Sequence, residues 1–95
     1  MAPVGSNCPI EDIISSEDLC KQAISRLNGL IFQSRQIKQD SPAGCYVTNG
    51  KHGYFNSVTD PTKTNIRGSH ARGLCKETGI VIYILKIEWL IFNFP

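Results

Sequence analysis

Four cysteines are the residues with the most definite chemistry in this 95-residue sequence. They are Cys8, Cys20, Cys45 and Cys75. No neighbouring pair has the close Cys-x₂₋₄-Cys spacing of structural zinc sites, so we expect no metal and no other cofactor. An even number of cysteines in so short a chain favours two disulfides and an oxidising compartment instead.

A catalytic use of the cysteines would need a histidine partner. Cys45 or Cys75 could pair with His52 or His70, but no motif supplies an oxyanion hole or a third orienting group. A disulfide would also consume the nucleophile. The carboxylates between residues 11 and 18 are explained by a helix start, and there is no glycine-rich phosphate loop. We therefore expect a protein that is not an enzyme.

Cationic side chains gather in the second half of the chain, where no acid occurs between Asp60 and Glu77. They are Lys63, Arg67, His70, Arg72 and Lys76. They form either a solvated loop partly paired with the acids of residues 8–20, or a surface that binds a glycan, a phosphate or an acidic partner. The net charge of +2, without a Lys/Arg cluster, argues against a nucleic-acid partner.

Two tyrosines, Tyr46 and Tyr54, flank a strong turn signal. Asn49 and Gly50 are residue types that tolerate positive φ in a two-residue type I′ turn, and β-forming residues lie on both sides. Residues 42–56 are therefore predicted to form a β-hairpin in which the tyrosines face each other. Cross-strand packing and a ligand-stacking platform are both consistent with such a pair.

The elements that position these residues begin with a helix. Two serines at positions 15 and 16, followed by two acids, form a signal similar to a capping box and predict a helix over residues 16–28. Apolar residues recur along one face of it, and Cys20 is among them. The Asn-Gly pair at positions 28 and 29 is a typical helix end.

Strand and loop signals follow the helix. The apolar run 30–32 predicts a strand that returns along the helix, residues 33–41 a polar linker, and residues 57–73 a long loop. Gly44 indicates a bulge or a close approach of two backbone segments. The predicted fold class is α+β: a small disulfide-stapled domain, residues 8–77, with one N-terminal helix packed on a short antiparallel β-hairpin or sheet.

An apolar tail, residues 78–95, follows this module. Of the 15 residues from 80 to 94, 12 are apolar, and Lys86 and Glu88 interrupt them. The tail is consistent with a strand, with a weak membrane anchor shorter than the ~20 residues of a span, or with non-native sequence. No signal-peptide pattern is visible before Cys8, so the expected extracellular location depends on the cysteines.

Several of these residues together resemble a recurrent four-cysteine module. The matching segments are Pro42-Ala43-Gly44-Cys45-Tyr46, Tyr54-Phe55-Asn56 and Leu74-Cys75-Lys76, with Cys8 and Cys20 ahead of them. The module, usually written Pro-Pro-Gly-Cys-Tyr and Tyr-Phe-Asn, occurs in predicted extracellular proteins of protists, algae and marine invertebrates. The resemblance spans residues 8–76, with Ala43 in place of the second proline. It implies an extracellular context, disulfides and modular reuse, and it carries over no activity.

Four cysteines allow three pairings, and the expected packing favours Cys20 with Cys45 and Cys8 with Cys75. The first bridge would join the apolar helix face to the hairpin, and the second would close the two ends of the domain. The competing pattern, Cys8–Cys20 with Cys45–Cys75, would staple each half separately and leave the helix and the hairpin joined by packing alone.

Non-catalytic binding outside the cell is the function that these observations favour. We expect a binding or interaction module for a protein, a glycan or another anionic ligand, as a monomer or as part of a larger modular protein. The candidate ligand-binding residues are Tyr46, Tyr54, Lys63, Arg67, His70 and Arg72. A secreted defence or toxin-like peptide is the alternative, although a net charge of +2 is low for one. A membrane is an expected partner only if the segment 80–94 is an anchor.

Overall fold

A computed structural model describes residues 1–67 and 70–76. They form one helix, α1 (Glu17–Ser25), and four strands, β1 (Ile31–Gln36), β2 (Gly44–Thr48), β3 (His52–Asn56) and β4 (Ala71–Gly73). Two single 3₁₀ turns, Ile10–Asp12 and Pro61–Lys63, lie in the connections. The predicted tail, residues 78–95, lies outside the described residues. Within the described ranges, no helix has the length and apolar character needed to cross a membrane.

Helix α1 forms where the capping signal predicts it. Ser16 is the N-cap, and its hydroxyl oxygen accepts from the backbone N–H of Leu19 at 3.4 Å. The helix ends at Ser25 rather than at residue 28. The carbonyls of residues 23 and 24 accept i→i+3 hydrogen bonds from the N–H groups of residues 26 and 27, and these tighter bonds close the last turn early.

The predicted hairpin is confirmed. Strands β2 and β3 pair antiparallel, and the turn residues Asn49 and Gly50 have φ values of 54° and 66°. The turn is closed by the Lys51 N–H, which donates to the Thr48 carbonyl at 3.1 Å. Both positive φ values match the requirement of a type I′ turn, which explains why this Asn-Gly pair determines the hairpin.

The sheet has the strand order β1-β3-β2-β4 and is mixed. Strand β2 is antiparallel to β3 and β4, whereas β1 is parallel to β3. The predicted linker 33–41 is wrong in its first part, because β1 continues to Gln36, and β4 lies inside the predicted loop 57–73. Both are edge strands without the alternation of apolar and polar residues that identifies a half-buried strand.

The N-terminal residues 2–6 cover the outer edge of β4. The N–H groups of residues 2 and 5 donate to the carbonyls of Gly73 and Ala71 at 2.9 and 2.7 Å. The carbonyl of Ser6 accepts from the Gly73 N–H at 3.0 Å. Pairing of this kind protects an otherwise open sheet edge, so the segment ahead of Cys8 is part of the fold.

Within residues 1–67 and 70–76, the core consists of two clusters of buried side chains, and each contains one disulfide. The larger surrounds Cys20–Cys45, between α1 and the sheet. The smaller surrounds Cys8–Cys75, where the N-terminal segment meets the end of the described chain. This pairing agrees with the one expected from packing. The fold is a small disulfide-stapled α+β domain with one helix packed on a sheet, as predicted.

Asn56, the last residue of β3, ties the connection between β1 and β2 to the sheet. Its buried Nδ2 donates to the carbonyls of Lys38 and Pro42 at 2.6 and 3.0 Å. Its Oδ1 accepts from the N–H groups of Lys38 and Val58, both at 3.1 Å. These partners remove the cost of burying the amide, so one side chain orders two stretches of irregular backbone.

Candidate functional site

The candidate site is a groove on the helix side of the sheet, beyond the C-terminal end of α1. Val47 of β2 packs in the cluster below α1, and Arg72 of β4 is its cross-strand partner, so both side chains lie on this face. Among the described residues, helix α1 packs mainly on β1, β2 and β3 rather than on β4. The result is an open groove of about 520 Å³, a volume typical of small-ligand sites.

Aliphatic side chains form much of the groove's surface. Val47 is buried and Leu30 is half-buried, whereas Leu27, Met1 and Val4 are 38%, 45% and 47% exposed. Among the described residues, no Phe, Tyr or Trp side chain lines the groove. Partly exposed aliphatic side chains around one concavity are available to contact the apolar part of a ligand.

Arg72 gives the groove a positive charge, and His70 adds a polar imidazole beside it. Arg72 is half-buried, and its Nη1 lies 3.6 Å from the sulfur of Met1. The carbonyl of His70 accepts from the Asn49 N–H at 3.1 Å, which holds the exposed His70 beside the hairpin turn. In the part of the chain that the structure describes, no carboxylate lines the groove, and the single ion pair joins two side chains of α1. The groove therefore favours anions.

The cationic residues predicted as one surface are divided by the structure. His70 and Arg72 lie together in the groove, whereas Lys63 ends a 3₁₀ turn and is exposed. The Arg67 N–H donates to the Asp40 carbonyl at 3.2 Å, which attaches this residue to the connection between β1 and β2. Within residues 1–67 and 70–76, none of the four forms an ion pair with the acids of residues 8–20.

The tyrosine pair lies on the opposite face of the sheet from the groove, since Tyr46 and Val47 are consecutive strand residues. The rings of Tyr46 and Tyr54 are stacked, with centroids 5.2 Å apart and planes inclined by 19°. Tyr46 is 2% exposed, and its hydroxyl donates to Oε1 of Gln36. Burial raises the pKa of Tyr46. Tyr46 is thus packed into the protein, and only Tyr54 presents ring surface to solvent.

The disulfides occupy all four cysteines, so no thiol is available as a nucleophile. The Cys45 and Cys75 dyads with His52 or His70 that the sequence allowed are absent from this oxidised state. Both bridges instead serve as staples within the buried clusters.

The aliphatic residues of the groove were not recognised as site residues from the sequence. Leu27 was placed on the buried face of the predicted helix, Leu30 at a strand start and Val47 in the hairpin. The groove arises only when β4 pairs with β2 and residues 2–6 pair with β4, and no local sequence signal encodes these long-range contacts.

Comparison with known proteins gives no match to a family model, a curated protein or a solved structure. The resemblance to the four-cysteine module therefore stays a prediction.

Proposed function

We propose that this protein is a non-catalytic binding module of an extracellular protein, and that the groove beside β4 binds an anionic ligand. The observation that carries the proposal is the position of Arg72. Arg72 is half-buried beside aliphatic residues, its guanidinium lies 3.6 Å from the Met1 sulfur in an exposed contact, and it has no carboxylate partner among the described residues. A guanidinium in such surroundings binds a carboxylate or a similar anion with two parallel hydrogen bonds.

Three further features support a binding role. The groove has the volume of a small-ligand site. His70 adds a second nitrogen donor on the same wall, and the backbone bond from Asn49 to His70 keeps this wall attached to the hairpin. The surrounding sheet is stapled by two disulfides, so the site needs little ordering when a ligand binds.

The extracellular part of the proposal is supported by the cysteines. Two disulfides in a chain of 95 residues are typical of small domains in oxidising compartments, where a limited core needs covalent staples. The resemblance to the four-cysteine module points in the same direction and suggests that the domain is used within larger modular proteins.

The test is a ¹⁵N NMR titration of the oxidised protein with two anionic probes, octanoate and a sulfated heparin disaccharide. We expect at least one probe to move the amide resonances of Asn49, Gly50, His70 and Arg72 in a saturable way. Arg72→Gln should weaken that binding at least tenfold, because it removes the charged donor but keeps a polar side chain.

Arg67→Gln is the matched control, since Arg67 is exposed and does not line the groove. Its affinity for either probe should equal that of the wild type. The proposed function is wrong if neither probe shifts the groove resonances, or if the two arginine variants lose affinity equally, because a diffuse surface charge would then explain the binding.

A further inference from the structure

The walls of the groove contain aliphatic side chains that an anion site alone does not require. Arg72 lies on β4 and His70 lies beside it. Aliphatic side chains come from three other segments: residues 1–6, which we call the N-terminal arm, the connection between α1 and β1, and β2. The arm is held along β4 by its backbone bonds to Ala71 and Gly73. Met1 and Val4 are therefore fixed close to Arg72, and the Met1 sulfur contacts the guanidinium itself.

We infer that the ligand of this groove is an amphiphilic monocarboxylate: a carboxylate held by Arg72, with an unbranched aliphatic body lying on Leu27, Leu30 and Val4. This inference names the ligand class of the proposed function and rests on it. The cation positions the carboxylate, and the aliphatic walls remove the hydrocarbon from water.

The chemistry of the walls separates this ligand from the other anions that fit Arg72. The aliphatic side chains offer no hydrogen bonds to the hydroxyl groups of a sulfated sugar, which would have to be served by Asn28, Asn49 and by water. The backbone N–H and C=O groups of a peptide ending in a carboxylate would meet the same aliphatic side chains and gain nothing from them. A hydrocarbon chain has no such groups.

Chain length is the property that tests the inference. Transfer of one methylene from water to an apolar surface strengthens binding by about fourfold when burial is complete. Because this groove is open, we expect roughly two- to fourfold per methylene over the series acetate, butanoate, hexanoate and octanoate, measured by NMR titration of the oxidised protein. Octylammonium should bind at least tenfold more weakly than octanoate, because its charge has the wrong sign for Arg72.

Two protein variants test separately the contact with the carboxylate and the contact with the hydrocarbon chain. Arg72→Gln should weaken all four alkanoates by a similar factor and leave the dependence on chain length intact. The double variant Val4→Ser with Leu27→Ser should flatten that dependence, so that octanoate binds little more tightly than acetate does. Ile37→Ser is the matched control, because Ile37 is 78% exposed and does not line the groove.

Several outcomes would overturn the inference. Equal affinity for acetate and octanoate would leave an anion site without a hydrocarbon surface, so the proposed function would survive and its ligand class would not. Tighter binding of the heparin disaccharide, or of an acetylated tripeptide ending in leucine, would assign the groove to another class of ligand. Insensitivity of every probe to Arg72→Gln would instead remove the proposed function as well.

Discussion

Gly44 and Gly50 have nearly the same φ angle in different surroundings. Their φ values are +70° and +66°, a region that costs an L-residue about 1–2 kcal/mol. A Cβ on Gly44 would lie 2.5 Å from the carbonyl oxygen of Ile14, whereas a Cβ on Gly50 would meet nothing within 4 Å. The Ile14 oxygen is held in place because it accepts the Cys45 N–H at 3.3 Å.

This contrast predicts different costs for the same substitution. We expect Gly50→Ala to lower the free energy of unfolding by about 1 kcal/mol, from the backbone conformation alone. Gly44→Ala should lower it by about 3 kcal/mol or more, because a backbone clash is added. Urea unfolding with intact disulfides measures both. Equal losses of unfolding free energy in the two variants would show that the close approach to Ile14 adds no cost to Gly44→Ala.

At the residue scale, the sequence predicted the backbone features that depend only on the local residue types. The close approach at Gly44 and the turn at Asn49 and Gly50 follow from the conformations that these residues tolerate. The role of Arg72 could not be predicted in the same way. Its place in a groove depends on pairing with Val47 and on contact with Met1, which is 71 residues away in the chain.

The helices and strands also divide into those with a local sequence signal and those that depend on long-range contacts. Helix α1 and the hairpin carry capping, periodicity and turn signals; the hairpin forms where it was predicted, and the helix begins there but ends at Ser25 instead of residue 28. The apolar run 30–32 predicted the start of β1 but not its continuation to Gln36, and β4 carries no local signal. Strand β4 has only three residues and is held between β2 and the N-terminal segment, so its existence is a consequence of the assembled sheet. A short edge strand of this kind has no periodicity to detect.

Asn56 of the neighbouring strand β3 makes most of the side-chain hydrogen bonds to the connection between β1 and β2, beside the bond from the Ala43 N–H to Oδ1 of Asn7. Asn56→Ala would leave the Lys38 N–H, the Val58 N–H and two backbone carbonyls without their partner. We expect it to lower the free energy of unfolding by about 2–4 kcal/mol, since buried polar groups would lose their hydrogen bonds. Chemical unfolding of the oxidised protein provides the measurement.

Asn65→Ala is the matched control for this prediction. Asn65 is exposed, and its side chain has no hydrogen bond to the described residues, so the change should stay within about 0.5 kcal/mol. If Asn56→Ala were equally mild, the connection would be held by its own turns and by its bonds to residues 65 and 67, and not by the buried amide.

The described part of the molecule contains two buried clusters, one around each disulfide, and the two bridges do not contribute in the same way. From loop-closure entropy, Cys8–Cys75, with a sequence separation of 67, stabilises the fold by about 4.4 kcal/mol. Cys20–Cys45, with a separation of 25, stabilises it by about 3.5 kcal/mol. Either value is a large share of the roughly 5–15 kcal/mol that stabilises a typical domain.

Burial offsets that ranking, because both cysteines of Cys20–Cys45 are buried, whereas Cys75, the partner of the buried Cys8, is only half-buried. Cys20 and Cys45 are 0% and 1% exposed at the centre of the larger cluster, so replacing both with alanine also removes packing there, which adds about 2 kcal/mol. We expect the double variant Cys20→Ala with Cys45→Ala to lose amide protection throughout the sheet at once. Hydrogen exchange followed by NMR, residue by residue, measures this loss.

The other double variant, Cys8→Ala with Cys75→Ala, should behave differently although its entropic cost is larger. The bridge joins the N-terminal segment to the chain just after β4, so its removal should first free residues 2–6 and β4. Amides of β2 and β3 that pair with each other should keep most of their protection, because α1, the hairpin and Cys20–Cys45 remain together.

Since the groove needs both Arg72 and the N-terminal arm, octanoate binding should be lost while the hairpin stays folded. Loss of protection in β2 and β3 at the same rate as in β4 would contradict this order, and would mean that the two clusters unfold as one unit.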